Sequence, residues 1–151
     1  MPIVKKIKGS VSEVFEKGEI SLLVNNISCT KDPADKEKPE LAKKLYEKFE
    51  IIEEIHKAFP LPALYKLGDY SVASVAQSAS VLNFYTALIE DHFEYSALKS
   101  CLKKLSMEGL SSNQYIEVAF SKKNIGDADW KTVEQILHLQ EQLLITVYDN
   151  D

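Results

Sequence analysis

Short apolar runs alternate with amphipathic segments along most of the chain, and this alternation predicts an α/β fold. Residues 20–24 form a mostly apolar run, as expected for a strand buried on both faces. Strands are predicted at residues 2–8, 20–24, 70–75, 80–85, 115–120 and 143–148. Helices are predicted from Ser10 to Gly18 and over residues 41–57, 95–105 and 130–139. Such an order of elements packs as a three-layer α/β/α sandwich.

Local signals define several ends of these elements. Ser10, with Glu13 three residues later, is a capping-box pattern, and Gly18 can end that short helix in a left-handed conformation. The sequence Phe59-Pro60-Leu61-Pro62 ends the helix over 41–57 because proline cannot continue the backbone hydrogen bonding. The small polar turn at 76–79 predicts a β-hairpin, so the sheet should be mixed.

Two segments carry little apolar periodicity. Residues 30–39 are charged and contain two prolines, which predicts a solvated loop. The sequence Tyr148-Asp149-Asn150-Asp151 reads as an acidic tail that frays.

Composition places the chain among ordinary globular proteins. Its 151 residues, 45% hydrophobic and 27% charged, fit one domain over 1–151. The apolar runs are too short to cross a bilayer, and the start lacks a signal-peptide pattern. We therefore expect a cytoplasmic protein without a membrane partner.

Charge narrows the choice of ligand. A net charge of −5 disfavours duplex nucleic acid, whose binding depends on clustered cations. All 18 basic residues are lysines, so a phosphate must be held by lysine or backbone N–H groups. Cys29, Cys101 and the three histidines fit no metal or disulfide pattern, and we expect no metal and no cofactor. A nucleophilic role for Cys29 competes with that of a small buried hydrophobe.

The loop at 121–128 is the clearest candidate for binding chemistry. A strand-loop-helix unit presents backbone N–H groups and a positive helix end to an anion, but this loop contains a single glycine, Gly126. Lys122 and Lys123 could hold a phosphate or form a solvated pair. Asp127 and Asp129 could include a general base or cap the next helix. His92 is a candidate proton carrier with a structural alternative.

Five short pieces carry a resemblance to a known family. They are Ile7-Lys8-Gly9-Ser10-Val11, residues 20–29, Lys66-Leu67-Gly68-Asp69-Tyr70-Ser71, Leu82-Asn83-Phe84-Tyr85-Thr86 and Gly126-Asp127-Ala128-Asp129-Trp130. In order and spacing they resemble the macro domain, a fold that binds ADP-ribose and related nucleotides. The resemblance covers essentially the whole chain and implies a macro-domain-like sandwich.

The resemblance also implies altered site chemistry. Ser10 stands where the family has an aspartate that accepts a hydrogen bond from the adenine amino group, and Ser28 stands where one branch has an asparagine that holds the distal ribose. Lys38-Pro39-Glu40 replaces the first glycine-rich loop. The implied ligand-binding residues are Ser10, Val11, Ser28, Tyr85, Ser121, Lys122, Lys123, Asn124, Ile125 and Gly126. Tyr85 and Trp130 could stack on a base or pack between helix and sheet.

Three functions remain open at this point. The first is a non-catalytic macro-like module that binds an ADP-ribose-related nucleotide weakly or acts through protein interaction. The second is an active hydrolase of ADP-ribosyl groups or ADP-ribose 1″-phosphate, using Asp127 or His92. The third is a scaffold or inhibitor of a partner protein that uses the loop at 30–39.

Overall fold

The computed structural model describes residues 3–29, 40–59, 63–88 and 92–151. The strands are β1 Ile3–Ser10, β2 Leu22–Ser28, β3 Tyr70–Ala76, β4 Ala79–Ala87, β5 Ile116–Ser121 and β6 Leu143–Asn150. The helices are α1 Val11–Glu16, α2 Glu40–Lys48, α3 Glu50–Ala58, α4 Ala63–Lys66, α5 Tyr95–Ser112 and α6 Trp130–His138.

The strands form one mixed sheet in the order β1-β6-β5-β2-β4-β3. Among the strands that the structure describes, only the hairpin strand β3 runs antiparallel to its neighbour, and the other pairs are parallel. This confirms the predicted mixed sheet and hairpin. Because β1, β6, β5, β2 and β4 run the same way, their carboxyl ends share one edge of the sheet.

Buried apolar residues pack on each face of the sheet and make the three layers. On the face that we call the first face, α5 and α6 pack through residues such as Leu102 and Leu137 against Val24, Phe84 and the neighbouring strands. On the second face, α1, α2 and α3 pack through residues that include Phe15, Leu45 and Ile52. Adjacent strand residues alternate between the two faces, as the pleat of a strand requires. The sandwich prediction is confirmed.

The single helix predicted over 41–57 is wrong. The chain forms α2 and α3 instead, broken at Phe49, whose φ of −135° and ψ of 87° are not helical. The Phe49 ring lies edge-on to Phe15 of α1, with the ring centroids 5.7 Å apart. Tertiary packing of an aromatic side chain therefore overrides a continuous helical pattern. The end of α3 at Ala58 agrees with the predicted stop.

Other boundaries moved by smaller amounts. β2 begins at Leu22 and continues to Ser28, and α5 continues to Ser112, where Asn113 caps it in a left-handed conformation at φ 55°. The first turn behaves as predicted, since the Ser10 hydroxyl accepts the N–H of Glu13 and Gly18 has a φ of 79°. The predicted loop at 30–39 lies outside the described residues.

The predicted frayed tail is also wrong. β6 pairs with β1 as far as Asn150, opposite Ser10, and Asp151 is buried. A carboxylate can be buried when hydrogen-bond donors replace its contacts with water, and Asp151 has several such donors around it. Those donors belong to the site described below.

At Gly109, α5 lies close to the amino ends of β5 and β6. A Cβ built at this position would lie 2.8 Å from the backbone oxygen of Gln114. Alanine is normally favoured over glycine in a helix, but this clash with backbone reverses the expectation. We expect Gly109→Ala to lower the free energy of unfolding by about 1–3 kcal/mol in urea titration.

The matched control is Ser111→Ala, at an exposed position of the same helix. It should change the free energy of unfolding by no more than about 0.5 kcal/mol, in the stabilising direction. A stabilising Gly109→Ala substitution would contradict the close approach of α5 to Gln114.

Candidate functional site

Polar residues gather at the carboxyl edge of the parallel strands. Ser10 ends β1, Ser28 ends β2, Ser121 ends β5, and Asp151 follows β6. Ligands of open α/β sheets bind outside this edge. The loop at 122–129, between β5 and α6, lies over it.

The β5–α6 loop is held in place from both ends. The backbone N–H of Lys122 donates to the carbonyl of Tyr148 at 2.9 Å, and the N–H of Ala128 donates to that of Ile125 at 3.0 Å. Ile125 is 5% exposed and belongs to the first-face core. At the far end, Asp129 caps α6 by accepting the N–H of Thr132 at 3.2 Å. The loop is therefore held in a defined conformation by hydrogen bonds and by the buried Ile125 side chain. Asp129 is the N-cap of α6.

Asn124 ties this loop to the neighbouring strand β2. Its Oδ1 accepts the backbone N–H of Asn26 at 2.6 Å, and its Nδ2 donates to the Asn26 carbonyl at 3.3 Å. The Asn26 side chain in turn donates to the Asn124 carbonyl at 2.9 Å and accepts the Thr86 hydroxyl at 3.2 Å. Asn124, at 3% exposure, therefore bridges β2 where β5 no longer pairs with it.

Gly126 marks the open part of the same loop. Its φ is 56°, and a Cβ built there would meet nothing within 4 Å. Among the described residues, no acceptor contacts the backbone N–H groups of Ile125, Gly126 and Asp127. Successive N–H groups beside a left-handed residue can form an anion-binding concavity. This is the part of the edge best able to receive a phosphate.

The two lysines of the loop, Lys122 and Lys123, each contact another side chain. The Lys122 ammonium lies 5.7 Å from the centroid of the Trp130 ring. The Lys123 ammonium donates to Asn150 Oδ1 at 3.2 Å. Both side chains are exposed, so both charges remain close to the loop and in contact with solvent.

Asp151 carries a buried carboxylate next to the start of α1. Its Oδ2 accepts the Ser10 hydroxyl at 2.5 Å, the Ser12 backbone N–H at 3.0 Å and the Ser12 hydroxyl. Its Oδ1 accepts from the Lys44 ammonium of α2 at 3.0 Å. One side chain thus joins β6, β1, α1 and α2.

These contacts set the protonation state of Asp151. Burial raises the pKa of this carboxyl, and the hydrogen bonds from Ser10, Ser12 and Lys44 more than offset that effect, so its pKa lies below the ordinary value. The same pair acts on the other partner, because the hydrogen bond to Asp151 raises the pKa of Lys44. The group is an ion pair at neutral pH.

Several predicted ligand residues lie beneath the surface. Val11 and Tyr85 are fully buried at 0% exposure, and Ser121 is as well. The Tyr85 ring stacks on Phe59 with centroids 5.3 Å apart, so it has no open face on which a base could stack. Ser28 is 9% exposed. These residues lie beneath the surface of the carboxyl edge and support it.

The two catalytic candidates, Asp127 and His92, make no side-chain hydrogen bond to each other in the part of the chain that the structure describes. Asp127 Oδ1 accepts the backbone N–H of Phe93, the residue after His92, at 2.9 Å. Asp127 is therefore a loop tether, and His92 is exposed. Burial raises the pKa of the Cys29 thiol to about 11, with an opposing effect of Lys66, so Cys29 is a protonated core residue.

Sequence reasoning missed the residues that organise this edge. Asn26 and Thr86 lie on buried strands, and a polar side chain within an apolar strand was the available signal. Asp151 offered no comparable signal because it lies in a run of polar residues. Across the described part of the chain, no group of three or more His, Cys, Asp and Glu side chains could hold a metal ion. No helix in that part is long and apolar enough to cross a membrane.

Asp151→Asn tests the buried ion pair. At neutral pH it should lower the free energy of unfolding by about 1–3 kcal/mol, because an amide is a weaker acceptor for these donors than a carboxylate. The depressed pKa means that this stabilisation is present above the ordinary Asp value and is lost as the pH falls through the folded value. Urea titrations at neutral and at acid pH should show the variant and the parent converging in acid.

Asp149→Asn is the matched control, since Asp149 is exposed on β6, two residues before Asp151, and accepts the Gly9 N–H at 2.8 Å. It should cost no more than about 0.5 kcal/mol. If both variants lowered the free energy of unfolding equally at neutral pH, the buried contacts of Asp151 would contribute no more to stability than the exposed contact of Asp149.

Comparison with known proteins bears on the fold. No protein-family sequence model matches the chain, and no curated protein sequence matches it significantly. The macrodomain of Thermus aquaticus DarG is similar in structure, with a TM-score of 0.65, 16% identity and 99% of each chain covered. A macrodomain protein from Streptomyces coelicolor gives a TM-score of 0.69 at 13% identity, over 98% of this chain and 99% of that chain.

A third similar structure is Thermosipho africanus DarTG in complex with ADP-ribose. Its TM-score is 0.66 at 13% identity, and the match covers 97% of this chain and 41% of that chain. The structural agreement spans all layers of the sandwich while few residues are shared. This chain therefore has the fold of a divergent macrodomain.

Proposed function

We propose that the carboxyl edge of this protein binds ADP-ribose, or a related nucleotide diphosphate, and does not hydrolyse it. The observation that carries the proposal is the part of the β5–α6 loop around Gly126, where a Cβ would meet nothing within 4 Å and where, among the described residues, the N–H groups of Ile125, Gly126 and Asp127 have no acceptor. A diphosphate needs such donors and a close backbone approach. The DarTG structure complexed with ADP-ribose supports this choice of ligand by similarity of fold.

Charge around the loop supports an anionic ligand. Lys122 and Lys123 are both exposed on it; the Lys122 ammonium lies over the Trp130 ring, and the Lys123 ammonium donates to Asn150 Oδ1. A ligand phosphate could recruit either lysine by displacing the Trp130 ring or the Asn150 amide. Ammonium groups act on phosphates as point charges, so these two lysines would add affinity without fixing orientation.

The affinity for the nucleotide should be modest, because internal hydrogen bonds already occupy the polar groups at the ends of β1 and β6. Ser10 stands where the family resemblance implies an adenine-binding aspartate, and its hydroxyl is bonded to Asp151. The Asp151 side chain has 0% exposure and accepts four hydrogen bonds. A ligand that uses this carboxylate must first displace internal donors, and that displacement weakens binding.

The proposal excludes catalysis for reasons of chemistry at the candidate groups. Asp127 uses its carboxylate to hold the backbone N–H of Phe93. The Cys29 thiol is buried, with a raised pKa, and so is a poor nucleophile. Because the Asp127 carboxylate is engaged with the backbone and the Cys29 thiol is buried, these contacts favour neither a general base nor a nucleophile at this edge.

A charge substitution at Gly126 tests the site directly. Asparagine and aspartate both tolerate the left-handed conformation, so Gly126→Asp and Gly126→Asn add side chains of the same size that differ in charge. Gly126→Asp should weaken ADP-ribose binding about 10-fold relative to Gly126→Asn, because its carboxylate would face the diphosphate. Isothermal titration calorimetry gives both constants.

Two results would overturn the proposal. Equal affinities of the Asp and Asn variants would place the ligand elsewhere, and no heat of binding for the parent protein would remove ADP-ribose as the ligand. Catalysis is tested separately with a mono-ADP-ribosylated protein and with ADP-ribose 1″-phosphate. Turnover that disappears in Asp127→Ala would show an active hydrolase.

A further inference from the structure

A second concavity is lined by residues outside the β5–α6 loop. It is a cavity of about 310 Å³ on the second face of the sheet, near the amino ends of β2 and β5. Its floor includes Ala119, Leu144 and Thr146, and one wall is the segment from Glu19 to Leu22 that leads into β2. We call it the second-face groove. Its volume falls within the range of small-ligand sites.

The groove exists because the second face is incompletely covered. α1 is only six residues long, and after Gly18 the chain turns into β2. The described helices on this face leave part of β1 and β6 open, and Ile7 of β1 is 44% exposed. A sheet face that lacks its helix presents apolar floor and backbone pleat to solvent.

Charged groups of both signs surround this apolar floor. Lys5, Glu19 and Glu117 all line the groove and are exposed. Within the described residues none of the three has an ion-pair or hydrogen-bond partner for its side chain. They are close enough to share one cavity but are not joined to one another.

Strand register separates the opposite charges. Lys5 of β1 is level with Thr146 of β6, and Thr146 is level with Ala119 of β5. Lys5 and β5 are therefore two strand spacings apart, roughly 9–10 Å. Glu117 lies on β5, and Glu19 lies on the wall beyond it. The groove has a cationic end at β1 and an anionic end at β5 and β2.

Tyr148 adds a phenol group to the anionic end. It lines the groove, and within the described residues its hydroxyl makes no hydrogen bond to the protein. Tyr148 and Glu19 both line the groove, and burial raises the pKa of Tyr148 with a smaller contribution from the Glu19 charge. An ammonium group at this end would complement Glu19, Glu117 and the phenol oxygen.

We propose that the second-face groove binds a small zwitterion whose ammonium and carboxylate are separated by a short aliphatic chain. The ammonium lies among Glu19, Glu117 and Tyr148, the chain lies over Ala119 and Leu144, and the carboxylate meets Lys5. This site is separate from the carboxyl edge and does not depend on nucleotide binding there.

The test uses 6-aminohexanoate as the probe and amide chemical shifts of the full chain as the readout. At millimolar probe concentrations, the N–H signals of Leu22, Ala119 and Thr146 should move and saturate. Pentylamine lacks the carboxylate and hexanoate lacks the ammonium, so each should bind about 3- to 10-fold more weakly. No saturable shift at these amides with 6-aminohexanoate would overturn the proposal.

Substitutions identify the contacts. Glu117→Gln and Lys5→Met should each lower the affinity for 6-aminohexanoate about 3- to 10-fold, and Tyr148→Phe should lower it without disturbing the ring packing. Glu54→Gln, an exposed position on α3 outside the groove, is the matched control and should leave the affinity unchanged. Equal effects of Glu117→Gln and Glu54→Gln would show only a general charge effect and would also overturn the proposal.

Discussion

The buried carboxylate of Asp151 is the constraint on which the carboxyl edge depends. A charge removed from water must be matched by donors in good geometry, or the group is strongly destabilising. Ser10, Ser12 and Lys44 supply those donors from β1, α1 and α2. The position of two helices relative to the sheet is therefore tied to one side chain. The same bonds leave the Asp151 side chain with 0% exposure at this end.

A second internal bond closes the middle of the same edge. Asn124 pairs with the backbone of Asn26 as a strand residue would, through one acceptor and one donor. β2 and β5 diverge here, and the amide replaces ladder bonds that the backbone cannot make. A glycine in place of Asn124 would leave this gap to solvent or ligand. Side-chain hydrogen bonds thus occupy the carboxyl edge at Asp151 and at Asn124. Among the described residues, the backbone N–H groups around Gly126 remain without an acceptor.

The second face shows how buried polar groups specify packing. Asn25 donates to Asn83 at 3.0 Å, Asn83 donates to Ser71 at 3.2 Å, and the Tyr85 hydroxyl joins Ser71 to His56 at 3.0 and 3.2 Å. This chain of bonds runs from β2 across β4 and β3 to α3. A shift of α3 would leave several buried groups without partners, and that penalty holds the helix in one register. It also explains why Tyr85 serves packing.

The sequence by itself determined the order of strands and helices, the hairpin at 76–79 and the cap at Ser10, because periodicity and turn chemistry are local. Its motifs also indicated the macro-domain fold despite very low identity. Only the tertiary structure decided the break at Phe49, the burial of Asp151 and the bridging role of Asn124. In each case the deciding partner is distant along the chain: Phe15 for Phe49, Ser10 for Asp151 and Asn26 for Asn124. A local pattern cannot encode which remote group will satisfy a side chain, and at this edge those remote bonds determine what remains open to a ligand.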